Sequence, residues 1–419
     1  MPPAGVAVVR ISGPASSSAL AAIAGPRLPS PRRAVLRSLH NPADGALLDR
    51  ALVLWFPGPA SATGEDMVEL HLHGGRAVVT AVLAVLAVLP GLRAAEAGEF
   101  TRRAFHNGRI DLIEAEGLAD LLTAETESQR RHALMAATGH LSAQIETWQS
   151  ALLKIAAAIE AVLDFSDEDD VGEQAVLATA REQVTALHRE MVSWLARPAA
   201  ERIHDGLSVV IAGPPNAGKS TLLNALAHRE AAIVSPLAGT TRDIVEVPLA
   251  IDGIAMRFAD TAGLRDDVTD SIERIGIDRA GQAVASADIL LWLGHAKECP
   301  NHPAALRISA QSDHQPADSS ADITLSAVTG HGMDVLHHRL AALARSLLPG
   351  EGEIALTARQ RKVIDEAAGW LALAEAETHD PIILAENIRL ARSALDRLTG
   401  RANVETMLDT LFGRFCIGK

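Results

Sequence analysis

The first part of the chain alternates short apolar runs with clusters of proline and glycine. Residues 6–11 and 51–56 have the composition of strands, and residues 67–73 alternate apolar with polar positions, as a half-buried strand does. Residues 78–89 are apolar but too few to cross a bilayer, so we expect a buried helix there. These elements predict a small α/β domain over residues 1–108.

The next segment, residues 109–201, has the periodicity of helices. Its apolar residues recur at alternating spacings of four and three, which places them along one helix face. This apolar stripe consists of Leu141, Ile145, Trp148, Leu152, Ile155, Ile159 and Val162. An acidic cluster follows at residues 164–170; it could hold a metal ion, but we favour a solvated turn or a helix start.

Strands and helices alternate from residue 203 to residue 348, which predicts a parallel sheet with crossover helices. After Pro349 and Gly350 the pattern is helical again. Two helical segments on either side of a strand-rich one are most simply one domain that carries an insertion. We therefore predict a discontinuous all-α domain, residues 109–201 and 349–419, interrupted by an α/β domain at residues 202–348.

The composition restricts the classes of function that fit. The chain is 48% hydrophobic, enough for sizeable cores, but no apolar run has the length of a bilayer span. Residues 1–10 lack a basic segment followed by an apolar one, so we expect no secretory signal. Cys299 and Cys416 cannot form a disulfide framework, and no cysteine–histidine cluster has zinc spacing. These features predict a cytoplasmic protein that does not engage a membrane.

The charge balance limits nucleic-acid binding. A formal net charge of −14 argues against broad, non-specific binding, which depends on lysine and arginine. Local basic patches stay open, at Arg102, Arg103 and Arg109 and at Arg130 and Arg131; the alternative is that these are solvated helix faces. With no tyrosine and 3% aromatic residues, we expect no stacking platform for single strands.

The clearest chemical motif is a glycine-rich loop between a strand and a helix. Residues 207–212 predict a buried strand, residues 213–220 read G-P-P-N-A-G-K-S, and residues 221–227 predict a helix. The backbone N–H groups of such a loop surround phosphate oxygens at a helix N-terminus. We expect Lys219 to reach the β- and γ-phosphates and Ser220 to hold Mg²⁺. The predicted phosphate-binding residues are Asn216, Ala217, Gly218, Lys219, Ser220 and Thr221.

Two later motifs favour a GTPase over other nucleotidases. Asp260 ends a predicted strand at residues 255–259 and is expected to face Mg²⁺, while Gly263 offers its N–H to the γ-phosphate. Residues 239–243 fit a switch loop in which Thr241 closes on Mg²⁺. Each motif alone also fits a polar loop. The full predicted set is Asp260, Thr261, Ala262 and Gly263, with switch I at Gly239, Thr240, Thr241, Arg242 and Asp243.

The base-reading motif departs from the usual N-K-x-D, whose aspartate accepts hydrogen bonds from guanine. Residues 310–313 read A-Q-S-D after a predicted strand at 305–308, so only Asp313 matches and guanine affinity could be reduced. Ser326 and Ala327, after a strand-like run at 322–325, match the element that backs the base edge.

The chain resembles the MnmE (TrmE) family of tRNA-modifying GTPases over its whole length. The strings that carry the resemblance are V-R-I-S-G at 9–13, T-G-E-D at 63–66, H-G-G at 73–75, G-E-F-T-R-R-A-F at 98–105, N-G-R-I-D-L at 107–112, the loop motifs above, I-E-R-I-G at 272–276 and F-C-I-G-K at 415–419. The resemblance implies an N-terminal α/β folate-binding-like domain, a discontinuous helical domain and an inserted Ras-like P-loop GTPase domain. Such proteins usually carry one more short strand ahead of Pro2, and Ala62 stands where an aromatic residue is common.

For the N-terminal domain, the resemblance implies a constitutive homodimer that binds a tetrahydrofolate derivative, in the 5,10-methylene or 5-formyl form. By motif position, Arg10, Glu69 and Arg109 are the candidate folate contacts. Structural salt bridges are the alternative for these residues.

For hydrolysis, the resemblance implies an unusual mechanism. Leu264 stands where Ras-like enzymes place a water-orienting glutamine, and Glu273 is expected to take that role. A potassium ion, held by Asn216 and by switch I carbonyls, replaces an arginine finger and neutralises developing charge. The two GTPase domains are expected to close on each other across the nucleotide.

The resemblance also implies the reaction and its participants. Cys416 resembles the family's functional cysteine near the folate, although a buried structural cysteine is the usual reading of a lone thiol. The product is an aminomethyl-type group on carbon 5 of the wobble uridine of tRNA. A flavin-dependent partner resembling MnmG (GidA), in a heterotetramer or larger complex, supplies FAD, and GTP hydrolysis supplies conformational control.

Two other readings compete. A regulatory, ribosome- or RNA-associated GTPase switch would share the loop motifs but lack the N-terminal strings and the C-terminal F-C-I-G-K. A nucleotide-binding protein that has lost turnover is opposed by Lys219, Ser220, Asp260 and Glu273, but kept open by the A-Q-S-D segment.

Overall fold

The structure is a computed structural model that describes residues 4–164, 173–229, 231–232, 246–260, 281–314, 316, 318–350, 352–376, 380–400, 411–413 and 415. The chain forms two compact units, Met1–Ala119 with Thr399–Lys419, and Asp120–Leu398. Each unit carries its own sheet. No helix in the described ranges is long and apolar enough to cross a membrane.

The first unit is built on a four-stranded antiparallel sheet. Its elements are β1 (Val6–Ser12), α1 (Ser16–Ala24), β2 (Val35–His40), β3 (Leu47–Phe56), β4 (Met67–His73) and α2 (Arg76–Ala87), with strand order β1-β4-β3-β2. Alternation along β4 directs Val68, Leu70 and Leu72 into a core against α1 and α2. The strands predicted at residues 6–11, 51–56 and 67–73 are confirmed.

Helix α2 corrects one prediction. Residues 78–87 of the apolar run are helical, but only Val82 and Leu86 are buried, while Leu83 is exposed, as is Val88 just after the helix. A helix that packs on one sheet face buries one stripe. The length of the run therefore predicted the helix correctly, whereas the expectation of a buried helix was wrong.

The other face of this sheet is open and carries an apolar row. Val8 pairs with His71, His71 with Leu52, and Leu52 with Leu36, so these four side chains cross the sheet on one face. Val8, Leu52 and Leu36 are 50%, 45% and 55% exposed. We call Val8, Leu52 and Leu36 the open-face row.

The C-terminal segment belongs to the first unit. Of its described residues, Leu411, Phe412 and Phe415 pack on α3 (Glu99–His106) and α4 (Leu112–Thr123). Phe412 is buried with Leu112, and the Phe412 and Phe105 rings are 6.4 Å apart. Gly98 has φ +70°, and a Cβ atom there would collide with the Phe412 carbonyl. Glycine is thus required for this close approach.

Helices form one part of the second unit. They are α5 (Glu127–Ala137), α6 (His140–Asp164), α7 (Glu173–Leu195), α8 (Glu201–His204), α11 (Ala358–Ala376) and α12 (Pro381–Thr399). The predicted stripe on α6 is buried, apart from the half-buried Val162. Trp148 at its centre meets Trp194 of α7 edge to face, with ring centroids 5.6 Å apart.

The second unit also holds a seven-stranded sheet of order β11-β10-β9-β5-β8-β7-β6. Its elements are β5 (Leu207–Ala212), α9 (Lys219–Arg229), β6 (Ala231–Ala232), β7 (Glu246–Ile251), β8 (Ile254–Asp260), β9 (Ile289–Trp292), β10 (Ala305–Ser309), β11 (Ile323–Thr324) and α10 (Met333–Leu347). Strands β11 to β8 run parallel, as predicted, but β7 and β6 are antiparallel. The tight Asp252–Gly253 turn reverses the chain between β7 and β8, so a wholly parallel sheet is impossible.

The tip of the β7–β8 hairpin contacts the helical part. The Ser128 N–H in the first turn of α5 donates to the Gly253 carbonyl at 3.2 Å, and Arg345 of α10 pairs with Asp252. Nearby, Ala199 and Leu356 form a parallel bridge. The chain therefore enters and leaves the sheet region at neighbouring points.

Candidate functional site

The glycine-rich loop occupies the carboxyl end of β5. Gly213 and Gly218 have φ of +152° and +90°, conformations that side-chain-bearing residues rarely adopt. A Cβ atom at Gly213 would also lie 3.0 Å from the Leu293 backbone. Asn216 has φ +61° and is exposed at the corner of the loop, and Ala217 N donates to Pro214 O at 3.4 Å.

Lys219 is folded back over this loop. Its side chain is buried, and Nζ donates to the carbonyls of Gly213 and Pro214 at 3.0 and 2.9 Å. These bonds hold the ammonium group against the loop at the N-terminus of α9, where a cation and the helix dipole favour an anion. Thr221 is exposed in the first turn of the same helix.

Ser220 and Asp260 meet at the same sheet edge. Asp260 ends β8, which lies parallel to β5 with Ile211 opposite Asp260. The Ser220 hydroxyl donates to Asp260 Oδ2 at 2.6 Å. A hydroxyl and a carboxylate side by side are the hard oxygen ligands that Mg²⁺ prefers, so these two residues fit the predicted metal role. Within the described residues, no cluster of three or more His, Cys, Asp or Glu side chains could hold a metal.

Asp313 sits in the turn after β10, held against Ser326. A hydrogen bond from Ser326 lowers the pKa of Asp313; partial burial opposes this, and the neighbouring His314 adds to it. His314 Nε2 lies 3.0 Å from Asp313 Oδ2. Ser326 is fully buried, and Thr329 N donates to its hydroxyl oxygen. The half-buried Ala327 follows. Asp313 is thus kept ionised as a hydrogen-bond acceptor, which is the state that recognition of guanine N–H groups requires.

Gln311 was missed as a functional candidate. Its side-chain amide donates to the carbonyl of Asn216 at 3.0 Å, which ties the Asp313 turn to the glycine-rich loop. The sequence showed Gln311 only as one of the residues that depart from the N-K-x-D motif. No local pattern reveals that it reaches a residue so distant along the chain.

Several predicted site residues lie outside the described residues. They are Gly239, Thr240, Thr241, Arg242, Asp243, Thr261, Ala262, Gly263, Glu273 and Cys416, and most of the acidic cluster at 164–170. Their roles stay predictions.

The predicted folate residues fall at two places in the first unit. Arg10 and Glu69 are opposite each other on β1 and β4, and Arg10 Nε donates to Glu69 Oε1 at 2.9 Å. His71 Nε2 lies 3.2 Å from the same carboxylate. Arg109 is exposed, and its side chain lies beside Gly64 of the T-G-E-D segment. The structure brings Arg10 and Glu69 together in an ion pair.

Most of the arginines considered for basic patches have carboxylate partners. Arg103 pairs with Glu65 at 2.9 Å and with Glu99 at 2.6 Å, and Arg130 and Arg131 both pair with Glu127. Arg102 lies over the Phe412 ring at 5.3 Å. This pairing neutralises these stretches, and it favours ordinary helix faces over anion-binding patches.

Comparisons with known proteins cover the whole chain. Residues 1–109 match the family model described as "GTP-binding protein TrmE N-terminus", and residues 112–416 match "MnmE helical domain". A protein of Sphingopyxis alaskensis named "tRNA modification GTPase MnmE" is 63% identical, over 98% of this chain and 100% of its own length. One of the same name from Rhizorhabdus wittichii is 60% identical, over 100% and 94%.

Among solved structures, the G domain of the T. maritima FeoB iron transporter is similar over 33% of this chain and 98% of its own length. The identity is 20% and the TM-score 0.25, values too low to inform function.

Proposed function

The chain belongs to the MnmE family of tRNA modification GTPases, and from this premise we propose that it is a potassium-dependent GTPase that works on tRNA with a flavin-dependent partner. Together they install an aminomethyl-type group at carbon 5 of the wobble uridine in the cytoplasm. A tetrahydrofolate derivative, 5,10-methylene or 5-formyl, provides the one-carbon unit, and FAD enters only through the MnmG-like partner.

One observation carries the nucleotide part of this proposal. Lys219 is held inside the loop by two carbonyls, and Ser220 and Asp260 meet at 2.6 Å beside it. Lys219 binds the β- and γ-phosphates of GTP, and Ser220, Asp260 and Thr241 hold Mg²⁺, which neutralises phosphate charge when bound. Asp313, backed by Ser326, accepts hydrogen bonds from guanine.

Potassium is assigned to the corner of the loop. The exposed Asn216 offers a side-chain amide oxygen there, a ligand type that suits a hard cation. Switch I, residues 239–243, supplies the remaining oxygens, and Glu273 orients the attacking water. Both rest on the family resemblance, since these residues lie outside the described ones.

The open-face row supports the homodimer. Val8, Leu52 and Leu36 present apolar surface on one side of the first sheet, which favours association with another surface. In the proposed assembly this face lies between the N-terminal domains, and Arg10, Glu69 and Arg109 contribute to folate binding near it. Cys416 acts beside the folate; it follows Phe412 and Phe415, which belong to a hydrophobic cluster of the first unit.

The decisive experiment compares GTP turnover in potassium and in sodium at equal ionic strength, with ATP as a second substrate. We expect fast GTP hydrolysis in potassium, slow hydrolysis in sodium, and loss of turnover in Glu273→Ala. Glu160→Ala, an exposed glutamate on α6, is the matched control and should behave as wild type. Equal rates in both salts would contradict the potassium mechanism, and comparable ATP turnover would contradict guanine selectivity through Asp313.

The tRNA reaction needs a separate test. Purified protein, an MnmG-like partner, unmodified tRNA, GTP, folate and NADH should together yield an aminomethyl-type product at the wobble uridine, detected by mass spectrometry of nucleosides. Product that forms without folate would contradict the assigned one-carbon source.

A further inference from the structure

Gln311 lies in the turn after β10 and reaches across to the glycine-rich loop. Its amide N–H donates to Asn216 O at 3.0 Å. A Cβ atom added at Gly218 would lie 3.4 Å from Gln311 Nε2, so the glutamine side chain runs alongside the loop to its corner. Gln311 is half-buried as a residue, while the bond itself lies at the surface of the site.

Both residues joined by this bond have a restricted backbone. Asn216 has φ +61° and Gln311 has φ +59°. Residues other than glycine keep this left-handed conformation where their surroundings fix it, and such positions cluster at ligand-binding sites. The bond therefore connects two residues with a restricted backbone, so movement of one residue displaces the other.

The turn that contains Gln311 also holds the base-reading carboxylate. His314 N donates to Gln311 O at 2.9 Å, which closes the turn around Asp313. Ser312 N donates to Leu325 O at 3.1 Å, which anchors the turn next to Ser326. Asp313 and Gln311 consequently belong to one hydrogen-bonded turn.

We propose that Gln311 is a positioning residue of the nucleotide site: its bond to Asn216 joins the turn that carries Asp313 to the phosphate-side corner of the loop, so that base binding and the placement of Asn216 depend on each other. This inference deepens the proposed GTPase function and rests on it. The Gln311 amide can hold the loop in place because this role needs a hydrogen-bond donor but no charge.

Three substitutions separate the donor from the shape of the side chain. Gln311→Glu has nearly the same shape, but places an oxygen against the Asn216 carbonyl. Gln311→Lys keeps a donor, and Gln311→Ala removes the bond without repulsion. Gln183→Glu, at an exposed position on α7, is the matched control for the change in charge.

The readouts are the Kd for a fluorescent GDP, the kcat and KM for GTP, and the potassium concentration that gives half-maximal turnover. We expect Gln311→Glu to weaken GDP binding about tenfold and Gln311→Ala about threefold, as the loss of one hydrogen bond implies. Gln311→Glu should also raise the half-maximal potassium concentration, whereas Gln311→Lys stays close to wild type in both. A role confined to stability would lower the melting temperature without moving the potassium midpoint.

The inference is overturned if Gln311→Glu binds GDP as wild type does, or if Gln311→Glu and Gln311→Lys are equally impaired. Wild-type protein that binds GDP but turns over GTP equally in both salts would contradict the potassium proposal alone, and the GDP series would still decide the role of Gln311. Wild-type protein that binds no guanine nucleotide would contradict both proposals.

Discussion

The two sheets of this protein differ in how much of their surface they bury. The seven-stranded sheet has core on both faces: Val209 and Ile211 of β5 face one cluster, and Val210 and Ala212 face another. The four-stranded sheet buries one face and leaves the open-face row to solvent. In a sheet that is covered on both faces, ligands bind at the ends of the strands. An antiparallel sheet that is covered on one face leaves the other face available for association with another surface.

This difference explains where each sheet carries its candidate chemistry. Lys219, Ser220, Asp260 and Asp313 all follow or end parallel strands and meet at one edge. In the four-stranded sheet the polar candidates lie within the strands and partner each other across them, as Arg10 does with Glu69. The next four experiments test this contrast, from the largest expected effect to the smallest.

The largest effect is expected at the strand-end site. Lys219→Ala removes the ammonium group held by the Gly213 and Pro214 carbonyls, so GTP turnover should fall by a factor on the order of 10²–10³. Steady-state phosphate release measures this. Lys154→Ala, at an exposed position on α6, should retain turnover. If Lys219→Ala turned over GTP near the wild-type rate, the glycine-rich loop would have no role in hydrolysis. The claim that the seven-stranded sheet carries its chemistry at its strand ends would then fail.

The sequence predicted the strand-end site well because its motifs are local. Strand, loop and helix follow one another from residue 207 to residue 227, so the placement of Lys219 needed no knowledge of the remaining fold. Ser220 and Asp260 required only that parallel strands end at the same edge. Gln311 could not be predicted, because its contact with Asn216 depends on how the turn after β10 folds onto the loop.

Predictions for the first unit were weaker because its pairings are non-local. The sequence identified three strands but not the register that sets Arg10 opposite Glu69, nor the row formed by Val8, Leu52 and Leu36. Composition and periodicity indicated the helices of the second unit, but not that β7 and β8 reverse direction. Register depends on side chains from several strands at once, whereas a helix stripe is set within one segment.

The second prediction concerns the open-face row. Leu36→Lys with Leu52→Lys places two charges on this face of each subunit, so in a two-fold dimer every change counts twice. From the burial free energy of a leucine side chain, we expect the dimer Kd to rise by roughly 100-fold or more. Sedimentation velocity over a range of concentrations measures this.

Leu373→Lys is the matched control for the open-face row. Leu373 is 54% exposed on α11, close to the 55% of Leu36, and its change should leave dimerisation unaffected. Since Leu36 and Leu52 are exposed, the double variant should keep the wild-type melting temperature at low protein concentration. A double variant that stays dimeric would assign dimerisation to another surface.

The third prediction is a pH dependence of the local stability of α3, in the first unit. Burial would raise the pKa of Glu99, but hydrogen bonds from Arg93, Glu96 N–H and Arg103 outweigh it and hold the pKa at about 2, below the ordinary 4.5. A carboxylate with a lowered pKa contributes stability above pH 4.5 and loses it as the pH falls toward about 2. The loss should reach up to about 3 kcal/mol.

Glu99→Gln should remove most of this pH dependence. Hydrogen exchange of α3 amides, followed between pH 4.5 and pH 2.5 with correction for intrinsic rates, measures the local stability. Glu96→Gln, an exposed neighbour whose backbone N–H still reaches Glu99, is the control and should keep the wild-type profile. A Glu99→Gln profile as steep as that of wild type would show that other groups cause the acid sensitivity.

The smallest expected effect is a loss of local stability at the start of α5, the helix that contacts the β7–β8 hairpin of the seven-stranded sheet. Thr126 caps α5: its hydroxyl accepts from Gln129 N at 3.3 Å, and Gln129 Oε1 accepts from Thr126 N at 3.0 Å. The next turn contacts the β7–β8 hairpin through Ser128 N and Gly253 O. Thr126→Ala leaves the Gln129 N–H without its cap and should destabilise the start of α5 by about 1 kcal/mol. Amide exchange of Ser128 and Gln129 should then be about fivefold faster.

Thr138→Ala is the control at the opposite end of the same helix, because its exposed hydroxyl donates to the Leu134 carbonyl but caps no free N–H. It should change exchange at Gln129 less than about twofold. If Thr126→Ala accelerates exchange in α5 and also at the Gly253 turn, the contact with α5 stabilises the β7–β8 hairpin of the seven-stranded sheet. Acceleration in α5 alone would mean that the hairpin keeps its own structure without this contact, and unchanged exchange at both places would contradict the capping role of Thr126.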